Sequence, residues 1–238
     1  LVMCGLLAFG VLPWVISSLT PLSFADSLRI SKSAVVTAFA TGNVFIVVPV
    51  IIEECKQIMR EHDALDEEGA TMIDILVPIA FSFPNIGKLT VILFVFFAGW
   101  FSGKPVDLAG AGSLAVSGLL SLFGSVYVAI PFMLELVHLP ADLFQLFVMS
   151  GFITGKFGSV VAVMNLFALT LISIAMFQKV ARFGLASWLR LGVGLVVGCA
   201  LVIISSRILM ETVIDKDVNT SEIIANMRVA DDVPKNVS

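Results

Sequence analysis

The chain has 238 residues, 58% of them hydrophobic and 13% charged, with a formal net charge of −4 and a mean hydropathy of +1.05. Soluble domains carry roughly 25% charged residues, so this is the composition of an integral membrane protein, and a mildly acidic chain without a basic patch argues against nucleic-acid binding. Three cysteines without paired spacing and two distant histidines argue against a disulfide framework, a zinc site or a catalytic metal cluster.

Residues 1–20 read as the end of a transmembrane helix, kinked at Pro13. The sequence begins inside this apolar run with no basic n-region, unlike a signal peptide. It is read as a fragment whose natural chain continues on both sides. Thr20-Pro21-Leu22-Ser23 is a break, and Asp26 to Lys32 is short and amphipathic.

Residues 33–52 are apolar but interrupted by Thr41-Gly42-Asn43. A helix rises ~1.5 Å per residue and the hydrocarbon core is ~30 Å thick, so each half reaches about halfway across. Either the halves join into one interrupted span, or they fold back as a re-entrant hairpin over residues 21–60 with its tip at Thr41-Gly42-Asn43. Free backbone groups at that depth are tolerated only inside protein or facing a water-filled cavity, which is how many secondary transporters build a binding site. Residues 53–74 form an acidic polar loop that also carries Lys56 and Arg60, and Thr71 caps the next segment.

Residues 72–102 are long enough to span, but Ser82-Phe83-Pro84-Asn85-Ile86-Gly87-Lys88 interrupts them. Proline removes a backbone donor and frees a carbonyl. An unwound bend and a plain proline kink both fit. After a surface turn at Ser102-Gly103-Lys104-Pro105, residues 106–138 are apolar and rich in glycine and serine. They fit a second re-entrant hairpin with its tip in residues 118–124, or a tightly packed helix with small-residue contacts.

Residues 141–180 are a transmembrane helix containing Lys156. A lysine mid-helix costs about 2.5–3.5 kcal/mol on insertion scales, so it faces a cavity or snorkels to an interface. Lys179, Arg182 and Arg190 form a basic loop, cytoplasmic by the positive-inside rule. A further transmembrane helix at 187–210, anchored by Trp188, then delivers an acidic extracytoplasmic linker at 211–238. Counting back from Lys179, two hairpins put the 53–74 loop inside and Lys104 outside. Two full crossings swap them, and Lys56 and Arg60 against Lys104 favour the hairpins.

The order helix, hairpin, broken helix, hairpin, helix resembles the C-terminal transport half of the dicarboxylate/amino acid:cation symporters, the glutamate-transporter family. Thr37-Ala38-Phe39-Ala40-Thr41 with Pro49 beyond it is similar to the family's first hairpin, as is Thr20-Pro21-Leu22-Ser23-Phe24 leading into it. Glu135-Leu136-Val137-His138-Leu139-Pro140 is similar to the family's Glu-Ser-Val-Gly-Leu-Pro. The resemblance covers roughly residues 1–182. The family's serine-rich tip is replaced by Gly42-Asn43-Val44-Phe45-Ile46, and its Asn-Met-Asp-Gly-Thr break by Pro84-Asn85-Ile86-Gly87-Lys88. The second tip lacks the family's proline, and Gly155, Gly158, Ala162 and Leu166 stand where the last helix carries Asp, Arg, Asn and Asp. Sodium's carboxylate ligands therefore have no counterpart.

The expectation is an all-α membrane protein with re-entrant hairpins, broken helices and one extra C-terminal transmembrane helix, multi-pass in a bacterial inner membrane. Its expected function is secondary, symporter-like transport of a small organic solute, with anionic solutes allowed by Lys88 and Lys156. The expected substrate groups are Thr41, Asn43, Ser82, Asn85, Lys88, Ser121, Lys156, Ser159 and Asn165. No catalytic residue, metal site or cofactor is expected, and neither sodium nor proton coupling is supported by the motif residues. Expected partners are the bilayer, the solute and an extracytoplasmic solute-binding domain, and the resemblance implies a trimer. The alternative is a transport-incompetent membrane sensor or anchor for a domain following the chain.

Overall fold

The computed structural model describes residues 1–83 and 86–209, and among these every regular element is a helix. The linker read at 211–238 and Asn85 therefore lie outside the described residues. Helix α1 (Val2–Leu19) contains a π-helical turn at Leu7–Val11. Pro13 follows that turn; its ring crowds the preceding turn and it cannot donate a backbone bond, so the helix widens rather than stops. α1 ends where Thr20 turns extended and its hydroxyl donates to the Ile16 carbonyl at 2.7 Å.

Helix α2 (Phe24–Thr41) starts in a capping box. The Ser23 hydroxyl accepts from the Asp26 N–H while Asp26 accepts from Ser23. These bonds, the Ser23 side chain's first, hold the Asp26 carboxyl below its ordinary value. α2 ends at Gly42, whose φ of +67° is left-handed and suits glycine. A 3₁₀ turn at Phe45–Val47 leads into α3 (Val48–Glu61), with Pro49 in its first turn where no donor is needed. α3 returns along α2. Their open ends are clamped by Arg29–Glu61 at 2.6 Å and His62–Asp26 at 3.4 Å, with Arg29–Asp26 at 3.7 Å as a pair within α2.

The acidic stretch 53–74, expected as a loop, is helical at both ends. Ile51, Cys55, Ile58 and Met59 give α3 an apolar stripe that continues through the charges, so burial keeps it wound to Glu61. Helix α4 (Glu67–Ser82) is capped by Asp66, which accepts from the Gly69 N–H at 2.7 Å, and Thr71 lies inside it. α4 stops at Ser82, and Phe83 is extended (φ −83°, ψ 154°). A residue before proline is pushed out of the α region, and Pro84 follows. Helix α5 (Ile86–Phe101) resumes after the break.

Helix α6 (Leu108–Ser121), with a π-helical turn at Leu114–Gly118, reverses through Leu122–Gly124 into α7 (Val126–Leu136). Helix α8 (Leu143–Phe177) runs for 35 residues, and α9 (Leu185–Leu209) lies along α1. Two apolar cores form on α8. The larger joins α1 to α4 with Val160–Ile174 of α8; the smaller joins α5, α6 and α7, flanked by Leu143, Phe144 and Phe147 of α8.

Among the described residues two helices, Val2–Leu19 and Leu143–Phe177, are long and apolar enough to cross a membrane. The N-terminal half of α8 leaves large apolar groups outside, with Met149 80% and Phe152 76% exposed.

α9 is held by close approach. The Trp14 indole donates to the Arg190 carbonyl at 2.9 Å, and its ring lies flush on Gly194, where a Cβ would run into it. A Cβ on Gly198 would sit 2.7 Å from Val11. Gly194→Ala is expected to lower the melting temperature by the equivalent of about 1–3 kcal/mol, the usual range for overpacking. Gly192→Ala, on the same helix with nothing within 4 Å of its Cβ, is expected to be neutral or stabilising, and differential scanning calorimetry compares the two.

Candidate functional site

The two chain reversals, the broken helix and α8 meet around one cavity of about 370 Å³. Gly42 and Val44 come from the first reversal, Lys88 and Val91 from α5, and Val126 and Tyr127 from the start of α7. α8 supplies Gly151, Gly155, Gly158 and Ala162, spaced so that they share one helix face. Having no bulky side chains, that face leaves the space open. Thr154 and Ser159 add hydroxyls. Among the described residues lining the cavity, Lys88 is the only charged one.

Both reversals are tied in across this space. The Ser159 hydroxyl donates to the Gly42 carbonyl at 3.0 Å, and the same oxygen lies 3.0 Å from the Gly155 carbonyl. The Lys88 ammonium donates to the Leu122 carbonyl at 3.1 Å. A carbonyl at a reversal has no helical partner. Each of these therefore receives a donor from another element.

Of the sequence-derived substrate groups, Lys88 and Ser159 line the cavity. Thr41 and Asn43, on either side of Gly42, are not among the lining residues and are engaged in the turn: the Thr41 hydroxyl donates to the Thr37 carbonyl at 2.8 Å, and Asn43 Oδ1 accepts from the Phe45 N–H at 2.9 Å. Ser82 is exposed, donating to the Pro78 carbonyl at 3.1 Å. Ser121 donates to the Gly118 carbonyl at 2.6 Å and lines a separate space of about 550 Å³ between α6 and α7. Asn165 is buried in α8 six residues beyond Ser159 and is not among the cavity-lining residues.

Lys156 is also not among them. Its ammonium lies over the Phe39 ring at 5.9 Å and the Phe152 ring at 5.3 Å. The face of each ring is electron-rich, and a cation there gains roughly 0.5–2 kcal/mol. The aromatic pair thus offers the lysine a partner that no carboxylate supplies. The i,i+4 spacing of Phe152 and Lys156 marks one of these contacts in the sequence, but Phe39 is brought in from α2 and had no such mark.

Tyr127 and Thr154 were not singled out from sequence. The repeat of small residues at 151, 155, 158 and 162 was the available signal for Thr154, since it marks the open face of α8. Tyr127 carries no such mark; it is the chain's single tyrosine, placed by the second reversal.

A larger share of apolar wall surrounds the space between α1 and α9, about 230 Å³ against Trp14, Gly194 and Val197. Its indole N–H is already spent on Arg190, which leaves little to orient a polar molecule. No group of three or more histidine, cysteine, aspartate or glutamate side chains fit to hold a metal occurs among the described residues.

No protein-family model, curated protein or solved structure matches the chain.

Ser159→Ala is expected to free the Gly42 carbonyl and cost about 1 kcal/mol, as for one hydrogen bond. Ser159→Thr, which keeps the hydroxyl, is expected to retain most of it. Hydrogen exchange of the amides at 42–47 reads the difference: faster in the alanine variant, near native in the threonine variant.

Proposed function

We propose that the protein is a membrane-embedded module of the secondary-transporter type that binds a small anionic organic solute in the central cavity. One observation carries this reading: two helical reversals and a helix break converge on an open space whose single charge, among the described residues, is the Lys88 ammonium. Non-helical backbone inside an apolar body is tolerated where it is buried in protein or lines a cavity. Transporters use the same device to hold ions and solutes at mid-membrane. Ser159, Thr154 and Tyr127 supply hydroxyls for orientation, and Lys88 supplies the counter-charge.

In this reading α2–α3 and α6–α7 are re-entrant hairpins, entering from opposite faces, and α4–α5 is one broken crossing. The bilayer covers the exposed apolar half of α8. The sequence resemblance supports the same arrangement, because Gly155, Gly158 and Ala162, which stand at the family's ligand positions, line the cavity. Their lack of carboxylates supports solute binding without bound sodium.

The valines at both reversals, Val44 and Val126, favour a second reading in which the cavity binds a solute without moving it. The module then acts as a sensor or anchor for a neighbouring domain.

Binding is tested by thermal shift of the detergent-solubilised protein against panels of carboxylates, sulfonates and phosphate esters. A stabilising anion is expected, and its affinity should fall at least tenfold in Lys88→Met. Gly155→Leu is expected to abolish binding with the melting temperature unchanged or raised, since a Cβ there meets nothing within 4 Å. Lys156→Met serves as the comparison charge removal. Failure of every anion to stabilise the native protein would overturn the reading, and binding without uptake in proteoliposomes would select the sensor.

Topology has its own test. Cys55 is fully buried and cannot report its side, so single cysteines go to the exposed positions Glu68 and Lys104, with Cys4 and Cys199 changed to alanine. An impermeant maleimide is expected to label Lys104→Cys in intact cells and Glu68→Cys only after lysis. Equal labelling of both in intact cells would show that α4–α5 does not cross.

A further inference from the structure

Glu54 lies on α3 beyond the apolar stretch that ends at Ile52, two helical turns inward from the Arg29–Glu61 clamp. Its Oε2 is buried and has no hydrogen-bond partner. It borders a space of about 150 Å³ between α2 and α3, with Arg29, Ile30, Gln57, Ile58 and Glu61 as the other walls. An ionised carboxylate with a buried, unsatisfied oxygen is costly, and a carboxylic acid there is much less so.

The ion-paired charges around it are committed elsewhere, and the helices packed here also carry Lys32 on α2, Cys55 and Arg60 on α3, and Glu67 and Glu68 on α4. From α2, Arg29 pairs with Glu61 at 2.6 Å and Asp26 at 3.7 Å, and Asp26 also faces His62. From α4, Asp74 is held by Lys56 at 2.7 Å, and Lys56 also lies 3.8 Å from Glu53. The 3₁₀ turn carries no charge, and α8 carries only Lys156, which sits with Phe39 and Phe152.

We infer that Glu54 is a proton-binding site and that its protonation state sets how tightly α3 packs on α2, the two helices that carry the first reversal into the cavity. The inference goes beyond solute binding and does not require it. Burial pushes the Glu54 carboxyl from its ordinary 4.5 up to about 7, within the range of neutral solution. The sign follows from the raised value: the packed state is favoured in full below the ordinary value, and the advantage is lost as pH rises through about 7. Above that, one proton leaves to water, and the carboxylate draws water into the space between the helices.

The test is infrared titration of the full chain in detergent or lipid, from about pH 6 to pH 8. A protonated-carboxyl C=O band is expected to disappear with a midpoint near neutrality. Asp26, Glu61 and Asp66 are held low by their hydrogen bonds, so they stay ionised throughout. Glu54→Gln is expected to lack the band, and Glu54→Asp to keep it with a moved midpoint. Amide exchange along 51–59, corrected for its intrinsic pH dependence, should rise severalfold from pH 6 to pH 8 in the native protein and stay flat in Glu54→Gln. Absence of a neutral-range band in the native protein, or its persistence in Glu54→Gln, would overturn the inference. Should Glu54→Gln fail to fold, an unmoved midpoint in Glu54→Asp would do the same. The readout is independent of any solute, so its failure leaves the cavity's function to its own test.

Discussion

Two carbonyl oxygens, those of Gly42 and Leu122, set the terms for the middle of this molecule. Each sits where a helix has just ended and its own backbone offers no donor. The chain answers with side chains from other elements, Ser159 from α8 and Lys88 from α5. An unsatisfied buried carbonyl costs ~1–3 kcal/mol, comparable with what burying one leucine contributes. Both reversals are therefore anchored across the same cavity, and its walls are fixed by bonds that also occupy its polar groups. On the proposed reading, a solute entering there would meet donors already in use, and binding would exchange one partner for another.

α8 makes this geometry mechanically coherent. Its C-terminal half is the buried axis of the larger core, and its N-terminal half flanks the smaller one. The small-residue face lies between the two. Apart from α8, the link between the two bodies runs through the break after Ser82. Rigid packing within each core and a flat face between them leave the cavity as the place where side chains do not interdigitate. Close-packed interiors transmit displacement rather than absorbing it, so movement of either reversal is felt through α8.

Much of the helical plan was legible in the sequence, for local reasons. Gly42 after a polar interruption ends a helix, because the left-handed conformation is open to glycine. Phe83 is extended because proline follows it. The 53–74 stretch was misread as a loop because charge count outweighed pattern: Ile51, Cys55, Ile58 and Met59 keep a buried stripe through it. At the site, Lys88 and Ser159 were legible as polar groups in apolar helices. Their partners were not, since Leu122 and Gly42 are 34 and 117 residues away. The Lys156 setting was hidden for the same reason. A lysine's cost inside an apolar segment is visible in sequence, and so is Phe152 one turn before it, but the second ring, Phe39, comes from a distant helix.

The larger core has a consequence for biosynthesis. α1 to α4 leave the ribosome well before the helix that fills the space between them, because Val160–Ile174 come long after Phe83. At roughly 5–20 residues per second, that interval is on the order of 4–15 s. For that time the stripes of α2, α3 and α4 have no central partner and must be sheltered by lipid, by the insertion machinery or by each other. The Asp66 cap of α4 waits still longer for Gln178, its partner from beyond the end of α8. Assembly of the N-terminal half is thus a late event, timed by the synthesis of the C-terminal one.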